Sequence, residues 1–327
     1  EKVAPQLSRL GRDNPHQEYY LTDVIALLAA AGEKVLPYAA AEGEEILGAN
    51  TLADLARVDQ ILRRRKADAL MRQGVTLYQP ETCALDPDVR VGPDSVIEAG
   101  VQLLGTTQVG RRCRIGAFSI LRDTRVADDV SVKPHCLILS SRLGRGVVIG
   151  PFAHLREGAD IRPGARIGNY VEVKKSVVGE GTKAMHLTYL GDATVGKKTN
   201  VGAGTITCNY DGVAKHPTTI GDEVFIGSGT ELVAPVKVRR GAYVAAGSTL
   251  TEDVPPDALA IARGRQVNKL GWARKRRQAL ATAKETPEGG RGARVVRVAA
   301  ATKRARPLRR RRPRKRRQRR PARRRRK

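Results

Sequence analysis

The chain has 327 residues and a formal net charge of +27, with aromatic residues at only 4%. That scarcity excludes a core packed around rings, and no apolar run approaches the roughly 18 residues that a membrane-spanning helix needs. The charge is uneven: residues 273–327 hold 26 Lys and Arg against Glu285 and Glu288, so about 24 of the 27 net charges sit there and the body carries only about +3.

Residues 1–50 read as mixed α/β. Thr22 precedes Val24, Ile25, Leu27 and Leu28, and Gly32 supplies a stop, which predicts one helix. Thr51 and Asp54 form a capping-box pattern ahead of Leu55, Val58, Leu62 and Leu70, and the stripe ends near Gly74. A linker helix over 51–72 is expected, within a linker of residues 51–74.

From Leu85 the pattern changes. Apolar residues recur every six positions: Leu85, Val91, Ile97, Leu103, Val109, Ile115 and Leu121. After a five-residue step come Val126, Val132 and Ile138; after another come Leu143, Ile149, Leu155, Ile161, Ile167 and Val173. The register returns at Ile220, Ile226, Leu232, Val238, Val244 and Leu250. Six fits neither a helix nor simple alternation. It fits a short strand and a corner, three times per coil, so residues 75–262 are predicted to form a parallel β-helix of hexapeptide repeats with nine or ten coils.

Four cysteines, Cys83, Cys113, Cys136 and Cys208, contain no CxxC. Separate reduced thiols in a cytoplasmic protein are expected rather than a zinc site. The region from Arg263 onward, residues 263–327, is expected to be an arm followed by a disordered basic tail. Such a tail is either a solvated appendage or a sequence-independent nucleic-acid binder with a steep salt dependence. The sequence opens on Glu1 rather than Met, so a leader upstream is neither indicated nor excluded.

The longest gap in the period, Val173 to Ile220, holds KAMHLTYLGD and GAGTITCNYDGVAKHPTTIGD. Its side chains, with Arg156 and Glu172 just before it, suit chemistry on a phosphorylated polar nucleophile. Arg156, Lys174 and Lys175 offer donors to an anion. His186 reads either as a corner residue or as a general base, and Glu172 as the group that fixes its tautomer. His16, His135, His154 and His216 are read as structural. A catalytically silent prism is the remaining alternative.

The segments GPFAHLREGA, IGNYVEVKKS, AMHLTYLGD, GAGTITCNYDG and AAGSTLTEDV resemble the acetyltransferase half of the bacterial bifunctional N-acetylglucosamine-1-phosphate uridyltransferase/glucosamine-1-phosphate N-acetyltransferase family, from about residue 75 to Trp272. The resemblance implies a left-handed β-helix, a homotrimer and acetyl-CoA as co-substrate. It implies His186 as base with Glu172 orienting it. Arg156, Lys174, Tyr189, Asn200 and Lys215 would hold the sugar phosphate, and Asn209 and Tyr210 would lie at the reacting centre. Ala203, Ser228, Ala246 and Arg263 would contact acetyl-CoA. Met185 departs from the glycine usual before the histidine. QEYYLTDVIALL and EILGANTLADLARV resemble the end of the uridyltransferase domain, with Asn50 matching a Mg²⁺ ligand position. The nucleotide loop of that domain is absent from these residues, so uridyl transfer is not expected of them.

Overall fold

A computed structural model describes residues 2–285, which divide after Arg265 into two units. In the first unit, short parallel strands form three sheets of 11, 10 and 9 strands. The first face runs from Thr76–Leu77 to Leu259–Ala260, the second from Ala84–Leu85 to Thr249–Leu250, and the third from Arg90–Val91 to Val236–Val238. Consecutive strands fall on successive faces, and each pairs with its counterpart one coil away. Val96 and Ile97 thus align with Arg114 and Ile115, and Leu137 and Ile138 with His154 and Leu155.

The period of six is the cause of this shape. Every aliphatic residue in the series above is buried, from Leu85 to Leu250. Two positions before each inner residue stands another buried residue, none larger than Val, such as Ser95, Thr124, Ser176 or Thr182. Their hydroxyls donate to backbone carbonyls further along the chain: Ser95 to Gly110 at 2.9 Å, Ser176 to Leu190 at 3.2 Å, Thr182 to Gly196 at 2.6 Å. Cys83, Cys113 and Cys136 take the same small-residue position and are free thiols, and burial pushes all three up in pKa.

The few rings lie outside the core. Phe118, His135, Phe152 and Tyr170 occupy left-handed turn positions, with φ between 54° and 61°. They stack with centroids 5.1–5.4 Å apart and planes within 10°. His135 is thereby a structural member of a ladder.

The gap between Val173 and Ile220 is much smaller than the sequence suggests. The inner column continues through Val178, Ala184, Leu190, Val195, Val201 and Thr207, all buried. Small Ala184 and polar Thr207 hide the period from a hydrophobicity count. The real interruption is the excursion after Cys208, where Tyr210 and Lys215 form an antiparallel bridge.

Residues 2–50 form two short helices, α1 (Ala4–Leu7) and α2 (Asp23–Ala30), and a 3-10 turn (Gly43–Ile46). The expected mixed α/β character is corrected: no strand occurs among these described residues. A strand needs a neighbour for its backbone groups, and none is present here. Helix α3 (Leu52–Arg72) begins with the predicted box: Thr51 Oγ1 accepts from Asp54 N at 3.1 Å, and Asp54 Oδ2 accepts from Thr51 N at 3.0 Å. Ala67 and Leu70 join the cluster of Val75, Leu77 and Leu85 and so cover the first coil, whose face would otherwise be open.

In the second unit, α4 (Trp272–Glu285) lies within the stretch expected to form an arm and is helical. Its Ala, Leu, Arg, Lys and Gln residues are strong helix formers. The Arg-rich tail beyond it lies outside the described residues. No helix described is long and apolar enough to cross a membrane.

Leu155 is fully buried with partners Ile138 and Val173 above and below. Leu155→Ala is expected to cost about 2–5 kcal/mol, read as a lower urea midpoint, whereas Arg125→Ala on the exposed side of the third face should leave the midpoint nearly unchanged.

Candidate active site

One edge of the prism, where the first face turns into the second, gathers most of the predicted residues. Counting two positions beyond the inner residue of each coil gives Asn169, His186, Ala203, Ser228 and Ala246, one above another. Backbone bonds tie this edge together: Gly204 N donates to Leu187 O at 3.0 Å, Gly229 N to Ala203 O at 2.7 Å, and Gly247 N to Ser228 O at 2.8 Å. Arg263 Nη1 donates to Ala246 O at 2.7 Å. The stack Ala203–Ser228–Ala246 is therefore a run of small side chains along the edge, ending at a guanidinium.

His186 ends the strand Lys183–His186, which pairs with Arg166–Asn169. This ladder runs one pair further than its neighbours and makes Asn169 the direct register partner of His186. Asn169 Oδ1 lies 2.7 Å from His186 Nδ1. Gly168 permits the approach, because a Cβ there would fall 1.8 Å from Met185 O. His186 remains exposed at the edge despite Met185 beside it.

The second face carries the cations. Arg156 and Lys174 follow the inner residues Leu155 and Val173 and are register partners; Glu172 and Tyr189 are likewise paired. Glu172 does not hold the imidazole, contrary to expectation. Its Oε1 lies 2.8 Å from both Nε and Nη2 of Arg156, which also reaches Glu157 at 2.8 Å. A guanidinium offers a forked, permanently charged donor, and Asn169 already occupies the imidazole. Tyr189 lies back along its strand over Gly191, where a Cβ would meet the phenol oxygen at 2.3 Å.

Lys174 is buried and 3.4 Å from Glu157. It also touches Lys215, whose pKa falls below the ordinary lysine range because of that contact and the like charge of Lys174. Lys215 is delivered by the excursion after Cys208. Asp211 organises it, accepting at Oδ1 from Val213 N at 2.8 Å and Ala214 N at 2.7 Å, with His216 Nε2 2.7 Å from Oδ2. The Ala214 N–H first, then His216, holds the Asp211 carboxyl far below its usual range. Asn209 anchors the base of the loop through Nδ2 to Asp192 Oδ2 at 2.5 Å, and Tyr210 donates to Gly212 O.

Two predicted residues stand apart. Asn200 lies on the first face, paired with Lys183 and Phe225, away from Arg156 and Lys174 on the second. Asn50 is exposed, and its N–H is directed to Asp54, which is committed to the helix cap. Among the described residues no cluster of three or more His, Cys, Asp or Glu could hold a metal. Asn50 and its surroundings therefore do not fit a Mg²⁺ site. Sequence reading missed Asn169, Gly168, Gly191, Asp211 and the clamping role of His216. Aligning coils on their inner residues would have exposed Asn169.

Parallel strands in three rotating faces, with a repeated aliphatic–glycine signature, define a hexapeptide-repeat β-helix. Residues 217–252 match the family described as the hexapeptide repeat of succinyl-transferase. The chain is 52% identical over 271 residues to the bifunctional protein GlmU of Koribacter versatilis, covering 83% of this chain and 58% of that protein. It is 46% identical over 271 residues to the bifunctional protein GlmU of Geotalea uraniireducens, covering 83% and 59%. A solved UDP-N-acetylglucosamine acyltransferase from Campylobacter jejuni aligns at 18% identity and a TM-score of 0.39, over 66% of this chain and 86% of that one. Over the matched residues the chain is similar to these bifunctional GlmU proteins, and it spans less than two thirds of their length.

Asp211→Ala is expected to release the loop that presents Lys215. Mass mapping of a brief trypsin digest should then show cleavage after Lys215 rising by about an order of magnitude as the local opening becomes easier. An unchanged rate would mean that Asp211 is not what holds the loop.

Proposed function

We propose that this chain transfers an acetyl group from acetyl-CoA to the 2-amino group of glucosamine-1-phosphate, in the cytoplasm, yielding N-acetylglucosamine-1-phosphate for UDP-N-acetylglucosamine and cell-wall synthesis. The observation that carries the reading is the adjacency of two features. His186 shares an edge with the Ala203–Ser228–Ala246 stack, and the neighbouring face carries Arg156 and Lys174, with Lys215 brought against Lys174 by the excursion after Cys208.

The chemistry follows from those groups. The phosphate of the acceptor lies against Lys174, Lys215 and Arg156, with Tyr189 beside the sugar. Asn209 and Tyr210 border the reacting centre. Acetyl-CoA lies along the edge over Ala203, Ser228 and Ala246, with Arg263 at its end. The neutral amine attacks the thioester carbonyl, forming the C–N bond. His186 removes the amine proton, backbone N–H groups at the edge stabilise the oxyanion, and CoA leaves as its thiol after the C–S bond breaks. No cysteine is acylated, so Cys208 has no covalent part.

The assembly is a homotrimer in this reading. Asn200 is on the wrong face to reach the sugar bound by its own Arg156 and Lys174, so a neighbouring copy supplies it. Leu104, Ile120, Leu137 and Leu139 project outward from the second face and are half-buried in a single chain, which suits an interface between copies.

With acetyl-CoA and glucosamine-1-phosphate, the chain is expected to release free thiol, followed with a thiol-reactive dye. His186→Ala should lower kcat by about 10²–10⁴-fold and leave the circular dichroism spectrum intact. Turnover of that variant at the wild-type rate would refute the mechanism.

Lys215 adds a pH dependence. A phosphate dianion between the two ammonium groups favours both protons, so binding is strongest while Lys215 is protonated. KM for glucosamine-1-phosphate should be flat below the lowered Lys215 pKa and rise as pH passes it. Lys215→Arg, which keeps its charge, should remove the alkaline rise.

A further inference from the structure

We infer that Asn169 is the positioning residue for His186: its amide oxygen accepts the Nδ1–H and leaves Nε2 as the basic nitrogen that meets the acceptor amine. The inference rests on His186 being the base, and it assigns the orienting role to a neutral amide one coil below. The contact is 2.7 Å between direct register partners. It depends on a local extension of the ladder to the pair Asn169–His186, and on Gly168, where any side chain would strike the Met185 carbonyl.

The same edge position in the four preceding coils is held by Ala99, Ala117, Pro134 and Pro151. None has a side chain able to accept a hydrogen bond. Directly above His186 the position is Ala203. Across these four coils no acceptor stands in the column until Asn169, directly beneath the histidine. Ala or Pro suffices to turn the edge, so turning it does not explain Asn169. The one carboxylate that sequence reading had placed here, Glu172, is taken by Arg156.

The choice of an amide has a chemical consequence. A neutral acceptor fixes the imidazole without placing a negative charge beside it. A carboxylate at 2.7 Å would stabilise the imidazolium and remove free base near neutral pH. The other charged or titratable side chains on the strands paired with or adjoining that of His186 are Arg166 and Lys183 on the first face, and Glu172, Lys174 and Tyr189 on the second. Arg166, Lys183 and Lys174 are cations and Glu172 is paired with Arg156, so none supplies the missing negative charge.

The test uses the full chain and three variants, each assayed for kcat and KM across pH, with the ¹⁵N shifts of the histidine ring recorded on folded protein. Asn169→Ala is expected to lower kcat about 10–100-fold, with KM for both substrates within about twofold, and to convert a single Nδ1–H tautomer into a mixture. Asn169→Asp should restore turnover at alkaline pH while moving the acidic limb of kcat/KM upward by about one unit or more. His186→Ala separates the two readings. If it is inactive while Asn169→Ala keeps the wild-type kcat and tautomer, the positioning role falls and the base survives. If His186→Ala itself turns over normally, the proposed mechanism falls and the inference with it. An acidic limb unmoved in Asn169→Asp also overturns the inference. Should Asn169→Ala fold poorly, the limb of the Asp variant and the ring shifts of the wild type decide the matter.

Discussion

The structure depends on the register of each coil upon the next. The backbone ladder fixes a residue directly above its counterpart, and the inner aliphatic column stays closed only if that register is kept. A slip by one residue would turn every inner side chain outward. Inner and outer positions are therefore not independent choices: burying Ile167, Ala184, Val201, Ile226 and Val244 dictates that Asn169, His186, Ala203, Ser228 and Ala246 share an edge. The functional column is a consequence of the packed one. The register also explains why glycines here are intolerant. A Cβ at Gly202 would lie 2.6 Å from Ile226 O, and one at Gly227 2.4 Å from Ala246 N, so an added methyl group would push apart the coils that carry this edge.

Much of this was legible in sequence because a period of six is a geometric statement. Every residue assigned to the inner column is buried, and the capping box at Thr51 and Asp54 forms as its local chemistry requires. What was not legible has physical causes. Ala184 and Thr207 complete the inner column without being large and apolar, because the prism interior accepts any side chain that fits and meets its hydrogen bonds. Thr207 does so through Gly191 O at 3.1 Å and Gly191 N at 2.8 Å. The strands expected in residues 1–50 did not form, since local pattern cannot supply a pairing partner.

The reassignment of Glu172 is of another kind. Glu172 and Asn169 both lie within three residues of the inner column, and sequence distance does not separate them. The decision is made by which side of the corner each occupies. Asn169 ends the first face, in line with His186; Glu172 begins the second, in line with His154 and Tyr189, where Arg156 competes for it. A carboxylate between a neutral imidazole and a permanent guanidinium goes to the guanidinium, because the charge-assisted bond is the stronger.

The cations on and beside the second face form a graded series of compensation. Arg156 has two carboxylates at 2.8 Å, Lys174 has one at 3.4 Å, and Lys215 has no carboxylate within 4 Å among the described residues. The deficit grows toward the loop, where contact with Lys174 and its like charge lower the pKa of Lys215. Holding two ammonium groups together costs free energy in the unliganded chain, and the loop clamped by Asp211 and His216 maintains that arrangement. An anion seated there relieves the repulsion, so part of its affinity comes from removing a cost already present in the fold. The same arrangement discriminates by charge. A neutral molecule would leave Lys174 and Lys215 facing each other, whereas a phosphate would satisfy both.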